Sequence, residues 1–167
     1  MEQCLFCGIV AGKIPAKKVY EDDHVIGFLD INPRNPGHTL VIPKKHAETL
    51  LDMSEKDAGR LFESVQKVAA IVKNGTSSQG ISIGQSNGQA AGQVVRHVHV
   101  HVIPRFANEG PVGLEGILPS KKIDDGSMDK IAQTIKSASV HTHHAHRDEE
   151  PARPEKKGRK DEINFEF

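Results

Sequence analysis

The sequence predicts an α+β fold: an antiparallel sheet of about five strands, one long helix and a short second helix. Three observations carry this expectation. From Arg96 to Arg105, histidines at 97, 99 and 101 alternate with valines at 98, 100 and 102, the period-two pattern of a half-buried strand. After Ser54, residues Leu61, Val65, Val68, Ala69 and Val72 recur at helical spacing. Short β-branched runs bounded by turn residues fill most of the remaining N-terminal part.

Each element has its own signal. Lys18-Val-Tyr20 and Val25-Ile-Gly-Phe-Leu29 flank the polar Glu21-Asp-Asp-His24 and read as a hairpin. Asn32-Pro-Arg-Asn-Pro-Gly37 is dense in turn formers, and the strand His38–Ile42 that follows is stopped by Pro43. Ser54 with Glu55 and Asp57 reads as the cap and first turn of the long helix, which Lys73-Asn-Gly75 should end. Gly80–Ser86 alternates Ile81 and Ile83 as a fourth strand, and Asn87–Gln93 forms a glycine-containing loop into the histidine strand. A short helix is expected from Met128 to Ser137, capped by Ser127, with Ile131 and Ile135 facing inward.

The composition limits what the chain can be. With 167 residues, 37% of them hydrophobic, there is room for one domain with a real core. The boundary is expected near residue 140. Residues 141–167 form a tail that carries His141-Thr-His-His-Ala-His146, mixed charge and a basic cluster at Lys156–Lys160, and is too poor in apolar residues to offset its ordering entropy. Twenty-two basic against 22 acidic side chains give no net charge, so nothing points to nucleic acid or an anionic membrane. No apolar run is long enough to span a bilayer and the N-terminus does not read as a signal peptide, so a cytoplasmic location and reduced thiols are expected.

Cys4-Leu-Phe-Cys7 holds both cysteines of the chain. By itself it is ambiguous between half a zinc site, a redox pair and coincidence. The redox reading is weaker, since the pair lies at the extreme N-terminus rather than inside a βαβ unit. A structural zinc wants four ligands, and histidines are the obvious further supply.

The alternating stretch puts His97, His99 and His101 on one face while Val98, Val100 and Val102 enter the core. Three imidazoles in register suit catalysis better than a surface strand that happens to carry histidine. The alternation by itself also allows a transition-metal comb.

His97-Val-His99-Val-His101-Val102-Ile103 resembles the signature of the histidine triad (HIT) family of nucleotide hydrolases and transferases. Upstream, Asp30-Ile31-Asn32-Pro33, Pro36-Gly37-His38-Thr39-Leu40-Val41-Ile42-Pro43-Lys44-Lys45-His46 and Ala91-Gly92-Gln93 follow the family's order and spacing. The resemblance covers roughly Cys4 to Arg105. It implies a HIT-like fold and a catalytic set of His99, His101, His38 and His97. His99 would attack the α-phosphorus of a nucleoside phosphate derivative and form a nucleotidyl-imidazole that water resolves. His101 would donate to a phosphoryl oxygen, and His38 would support it.

The resemblance also implies a substrate pocket. Asp30 would hold the ribose and Ile31 would line the base site, with Asn87, Gly92, Gln93 and Val94 on the phosphate side, and the ligand would be a small purine nucleotide. Ser86 departs from the pattern, standing where family members often carry an amide side chain. The resemblance implies a homodimer, no divalent cation for catalysis, and a structural zinc on Cys4, Cys7, His46 and His97 as in some microbial members. It leans towards hydrolysis of adenosine 5′-phosphoramidates. Dinucleoside polyphosphate hydrolysis, or nucleotide sensing with little turnover, are the alternatives.

Overall fold

A computed structural model describes residues 4–110 and 121–138. All five expected strands are present: β1 (Lys18–Glu21), β2 (Val25–Leu29), β3 (Thr39–Pro43), β4 (Gly80–Gln85) and β5 (Val100–Arg105). They form one antiparallel sheet in the order β1-β2-β3-β5-β4. The central position of β5 puts the histidine strand between β3 and β4.

Alternation along the strands divides the core into two layers. Val25, Val41, Val98, Val100 and Val102 face one side, where Leu61, Val65, Val68 and Val72 of the long helix cover them. That helix, α2 (Glu55–Thr76), is capped by Ser54, whose hydroxyl accepts the Asp57 amide. It continues past Gly75 and ends at Ser77, which takes the left-handed conformation at φ 53°. Asp22 in the β1–β2 turn ties hairpin to helix, accepting from the Tyr20 and Ser64 hydroxyls and the His24 and Val25 amides. Burial raises its pKa, but these four bonds outweigh that and hold it down to about 2.

The other face carries Ile26, Phe28, Leu40 and Ile42, and it is covered by an element the sequence reading left out. This is α1 (Leu5–Val10), which packs Phe6 and Ile9 onto that layer. Six residues lie below the length at which periodicity can be read. Cys4 is the N-cap of α1, so the cysteine pair opens a helix, one that precedes the first strand and is not part of a βαβ unit.

Two further expectations are corrected. β5 begins at Val100, not at Arg96. His97, Val98 and His99 keep the inward–outward alternation, and the Val98 amide donates to the Ala47 carbonyl in the segment after β3. The last helix, α3 (Asp125–Ser137), starts three residues before the expected Met128, and its cap is Asp124 in place of Ser127, with the Asp124 carboxylate accepting from Ser127. Met128, Ile131 and Ile135 of α3 are exposed rather than inward-facing. The reason is that α2 and α1 already occupy the two faces of the sheet. The expected tail, residues 141–167, and the expected boundary near 140 lie outside the described residues.

Candidate active site

His101 on β5 is paired across the sheet with Leu40 on β3 and Gly84 on β4, so its imidazole rises from the face opposite α2. An added Cβ at Gly84 would meet nothing within 4 Å, so the face beside His101 on the β4 side is open. His38 lies just before β3 and is drawn to the same place because β3 and β5 are neighbours. Its Nε2 stands 2.9 Å from His101 Nδ1.

Backbone geometry settles which nitrogens carry protons. The Arg34 amide donates to His38 Nδ1 at 3.1 Å, so a neutral His38 must hold its proton on Nε2 and give it to His101 Nδ1. His101 then presents Nε2–H as a donor. Asp30 Oδ2 also approaches His38 Nδ1, at 3.5 Å, but the shorter and directional Arg34 bond dominates. Burial lowers the pKa of both rings. For His38 the Asp30 carboxylate opposes this, whereas His99 and His38 push His101 further, to about 4.

His99 is buried, and its Nδ1 lies 2.7 Å from the carbonyl of His97. A carbonyl only accepts, so Nδ1 donates and the neutral ring keeps its lone pair on Nε2. A main-chain oxygen, and not a flanking imidazole, therefore sets this tautomer. The His99 ring is held edge-on between His101, with centroids 5.1 Å apart, and Phe6, at 5.4 Å.

His97 is turned to a different task. Its Nε2 donates to the Pro43 carbonyl at 2.9 Å, leaving the Nδ1 lone pair free. That lone pair faces Cys4 Sγ at 3.5 Å, Cys7 Sγ at 3.6 Å and His46 Nδ1 at 3.2 Å, while Cys7 Sγ lies 3.3 Å from His46 Nδ1. All four donor atoms lie within 4.8 Å of one another. Metal–ligand bonds of ~2.0–2.3 Å in a tetrahedron put donors roughly 3.3–3.8 Å apart, so the set fits zinc. Burial and the neighbouring Cys4 raise the Cys7 thiol, and a divalent cation supplies the charge that two adjacent thiolates lack. His97 therefore joins the sulfur cluster, and neither of its ring nitrogens faces His99 or His101.

The expected phosphate side is only partly assembled. The Gly92 and Gln93 amides, expected to cradle an anion, are bonded within their own turn to Gln89 and Gly88 carbonyls. The Gln93 side chain points inward, accepting from the Gly88 amide and donating to the Glu48 and Val95 carbonyls. Asn87 accepts from the Leu50 amide and exchanges bonds with Gln85. All three residues brace the loop. Val94 and Ile31 are about nine-tenths exposed, at 90% and 89%, and so are free to meet a ligand. Asp30 is the half-engaged member, with Oδ1 taken by the Asn32 amide.

Residues 11–108 match the family model of the HIT domain. The chain belongs to the HIT domain family. A HIT-like protein of Methanocaldococcus jannaschii is 46% identical over 133 residues, spanning 80% of this chain and 98% of that one. The adenosine 5′-monophosphoramidase hnt1 of Schizosaccharomyces pombe is 35% identical over 80% of this chain and 96% of its own length. A crystal structure from Streptococcus mutans superposes with a TM-score of 0.74 at 42% identity, covering 81% of this chain and 85% of that one. The α+β sheet is thus the HIT fold. Among the site groups, the Arg34 amide, the His97 and Pro43 carbonyls and Phe6 had no sequence signal, because main-chain atoms leave none and Phe6 reads only as apolar.

Proposed function

We propose that this protein is a nucleotide hydrolase that cleaves adenosine 5′-phosphoramidates at the α-phosphorus through a nucleotidyl intermediate on His99. One observation carries the reading: His99 Nδ1 is bonded to a main-chain carbonyl, so its free Nε2 lone pair stands beside His101, whose own Nε2–H is oriented by His38. The lone pair forms the new P–N bond as the bond to the amine breaks, and the amine leaves with a proton from solvent. His101 donates to a phosphoryl oxygen. Water then attacks the same phosphorus, releasing the monophosphate and restoring the neutral ring.

In this reading Asp30 and Ile31 receive the ribose and base, and Val94 borders the leaving group. Asn87, Gly92 and Gln93 shape the phosphate loop. Zinc on Cys4, Cys7, His46 and His97 crosslinks the N-terminus to the triad segment. We take the working form to be a cytoplasmic homodimer; the β4 edge, unpaired among the described residues, and the exposed Ile83 on it support the dimer. The similarity to the fission-yeast phosphoramidase favours phosphoramidates over dinucleoside polyphosphates.

The test is steady-state hydrolysis of both substrate classes by one preparation, followed by acid quench during turnover of labelled substrate. Label should appear on the wild-type protein and vanish in His99→Ala, with turnover down at least ~10³-fold and adenosine monophosphate affinity little changed. Label persisting on the mutant, or activity within about tenfold of wild type, moves the nucleophile elsewhere. A clear preference for dinucleoside polyphosphates reassigns the substrate. Tight nucleotide binding with no turnover of either class makes the protein a sensor.

A further inference from the structure

Phe6 lies between the two cysteines of the N-terminal cluster and is buried, yet nothing in the chemistry above uses it. Its ring meets three others edge-on: His99 at 5.4 Å and 75°, His97 at 5.9 Å and 77°, and Phe28 at 5.7 Å and 68°. We propose that Phe6 is a positioning residue for the His99 imidazole, closing the side of the nucleophile that no hydrogen bond holds. The proposal rests on His99 being the nucleophile.

Among the described residues the His99 ring has one hydrogen bond, from Nδ1 to the His97 carbonyl. A single bond of that kind fixes the distance of one corner but lets the ring rock about the N–O axis, which sweeps Nε2 sideways. Two walls limit the sweep. One is His101, pinned by His38; the other is the Phe6 edge. In-line attack on phosphorus needs the lone pair aligned to within a few tenths of an ångström, so a missing wall costs rate rather than binding.

Phe6 needs outside support to act as a wall. Its helix has six residues, no side-chain cap and no acidic residue in the first turn, and a helix of that length does not hold itself. Cys4 and Cys7, one turn apart on either side of Phe6, both reach His97 Nδ1. The residue that carries the carbonyl for His99 is therefore the residue to which the Phe6 helix is fastened.

The experiment compares wild type, Phe6→Leu, the milder Phe6→Met, and Ile9→Ala in the full-length, metal-loaded protein. Ile9 is equally buried on α1 and packs in the same apolar layer, with no aromatic contact to the histidines, so it reports the cost of loosening α1 alone. For Phe6→Leu, kcat should fall about 10- to 100-fold while KM stays within about twofold, and the share of enzyme trapped as the nucleotidyl form should fall with it. Phe6→Met should lie between. Ile9→Ala should lose thermal stability with kcat near wild type.

A second readout needs no turnover. Nitrogen-15 spectra of the imidazoles should show one sharp His99 Nδ1–H in wild type and Ile9→Ala, and a broadened or tautomer-mixed His99 in Phe6→Leu and Phe6→Met. An unchanged His99 signal in whichever Phe6 variant folds overturns the proposal. So does an equal kcat loss in Ile9→Ala. If wild type hydrolyses none of the substrates, the functional reading fails, and the spectra still decide whether Phe6 orients the ring.

Discussion

At the scale of single residues, the site works by giving each imidazole one proton in one place. The order starts from a main-chain group: the Arg34 amide occupies His38 Nδ1, His38 Nε2–H occupies His101 Nδ1, and His101 is left as a donor. Replacing His38 by alanine removes the group that selects this tautomer. His38→Ala should lower kcat by about 10²-fold, the usual loss for an oriented donor, which steady-state kinetics at fixed pH will measure. Acid should act on the same pair. The folded-state pKa of His101 is depressed to about 4, against 6.5 for the unfolded chain. As pH falls below about 6.5 the unfolded chain takes up a proton that the folded ring refuses, so stability declines down to about 4 and levels off below it. Above 6.5 neither state binds the proton and this contribution is flat. Urea midpoints measured from pH 7.5 to 4 should trace that fall, and His101→Gln should flatten part of it.

At the scale of elements, the turn into β3 decides whether His38 arrives beside His101 at all. Gly37 has φ +92°, a conformation L side chains avoid, and an added Cβ would lie 2.5 Å from Cγ2 of Thr76 on the last turn of α2. Thr76 cannot rotate away cheaply, since its hydroxyl donates to the Val72 carbonyl. Gly37→Ala should therefore cost roughly 2–3 kcal/mol of stability and reduce kcat more than nucleotide affinity. Chemical denaturation with nucleotide titration would check both. An alanine there that is neutral in stability would mean that the turn relaxes without moving β3. The neighbouring Asn35 adds a second tie, donating to the Pro104 carbonyl of β5, so the turn is fixed to both strands that carry the site.

At the scale of the whole molecule, the Cys/His cluster joins three distant parts of the chain: the start of α1, the segment after β3, and the segment before β5. A metal bound there stabilises only the folded state, because the unfolded chain does not hold the set together. Prolonged chelation should release about one zinc per chain and lower Tm by more than about 10 °C, with Tm restored when zinc is returned. Protein that carries no zinc after gentle purification, and whose Tm ignores chelator, would remove the metal from the account. Deleting residues 141–167 should leave turnover within about tenfold of the full chain, the outcome expected from the low apolar content of that stretch of sequence.

The strands, the long helix and the histidine alternation were legible in the sequence because each depends on local periodicity, whereas spacing alone supplied only the cysteine pair and the full set of Cys4, Cys7, His46 and His97 came from the family resemblance. The alternation of His97 to Val102 alone assigned the two faces of the central strand. What only the tertiary structure decided was which partner each of those residues meets. His97 and His99 are two residues apart and identical in kind. One gives its Nε2 proton to Pro43 and its lone pair to the sulfurs, and the other gives its Nδ1 proton to a carbonyl and keeps Nε2 free. Gln93 looked like a phosphate contact and is spent on three backbone groups of the Glu48, Gly88 and Val95 segments. Ile131 and Ile135 looked like core and are exposed, since α1, too short for a period to show, had already taken the second face of the sheet. Main-chain donors and acceptors have no letter in the sequence, and they become specific only when the fold brings them to a side chain.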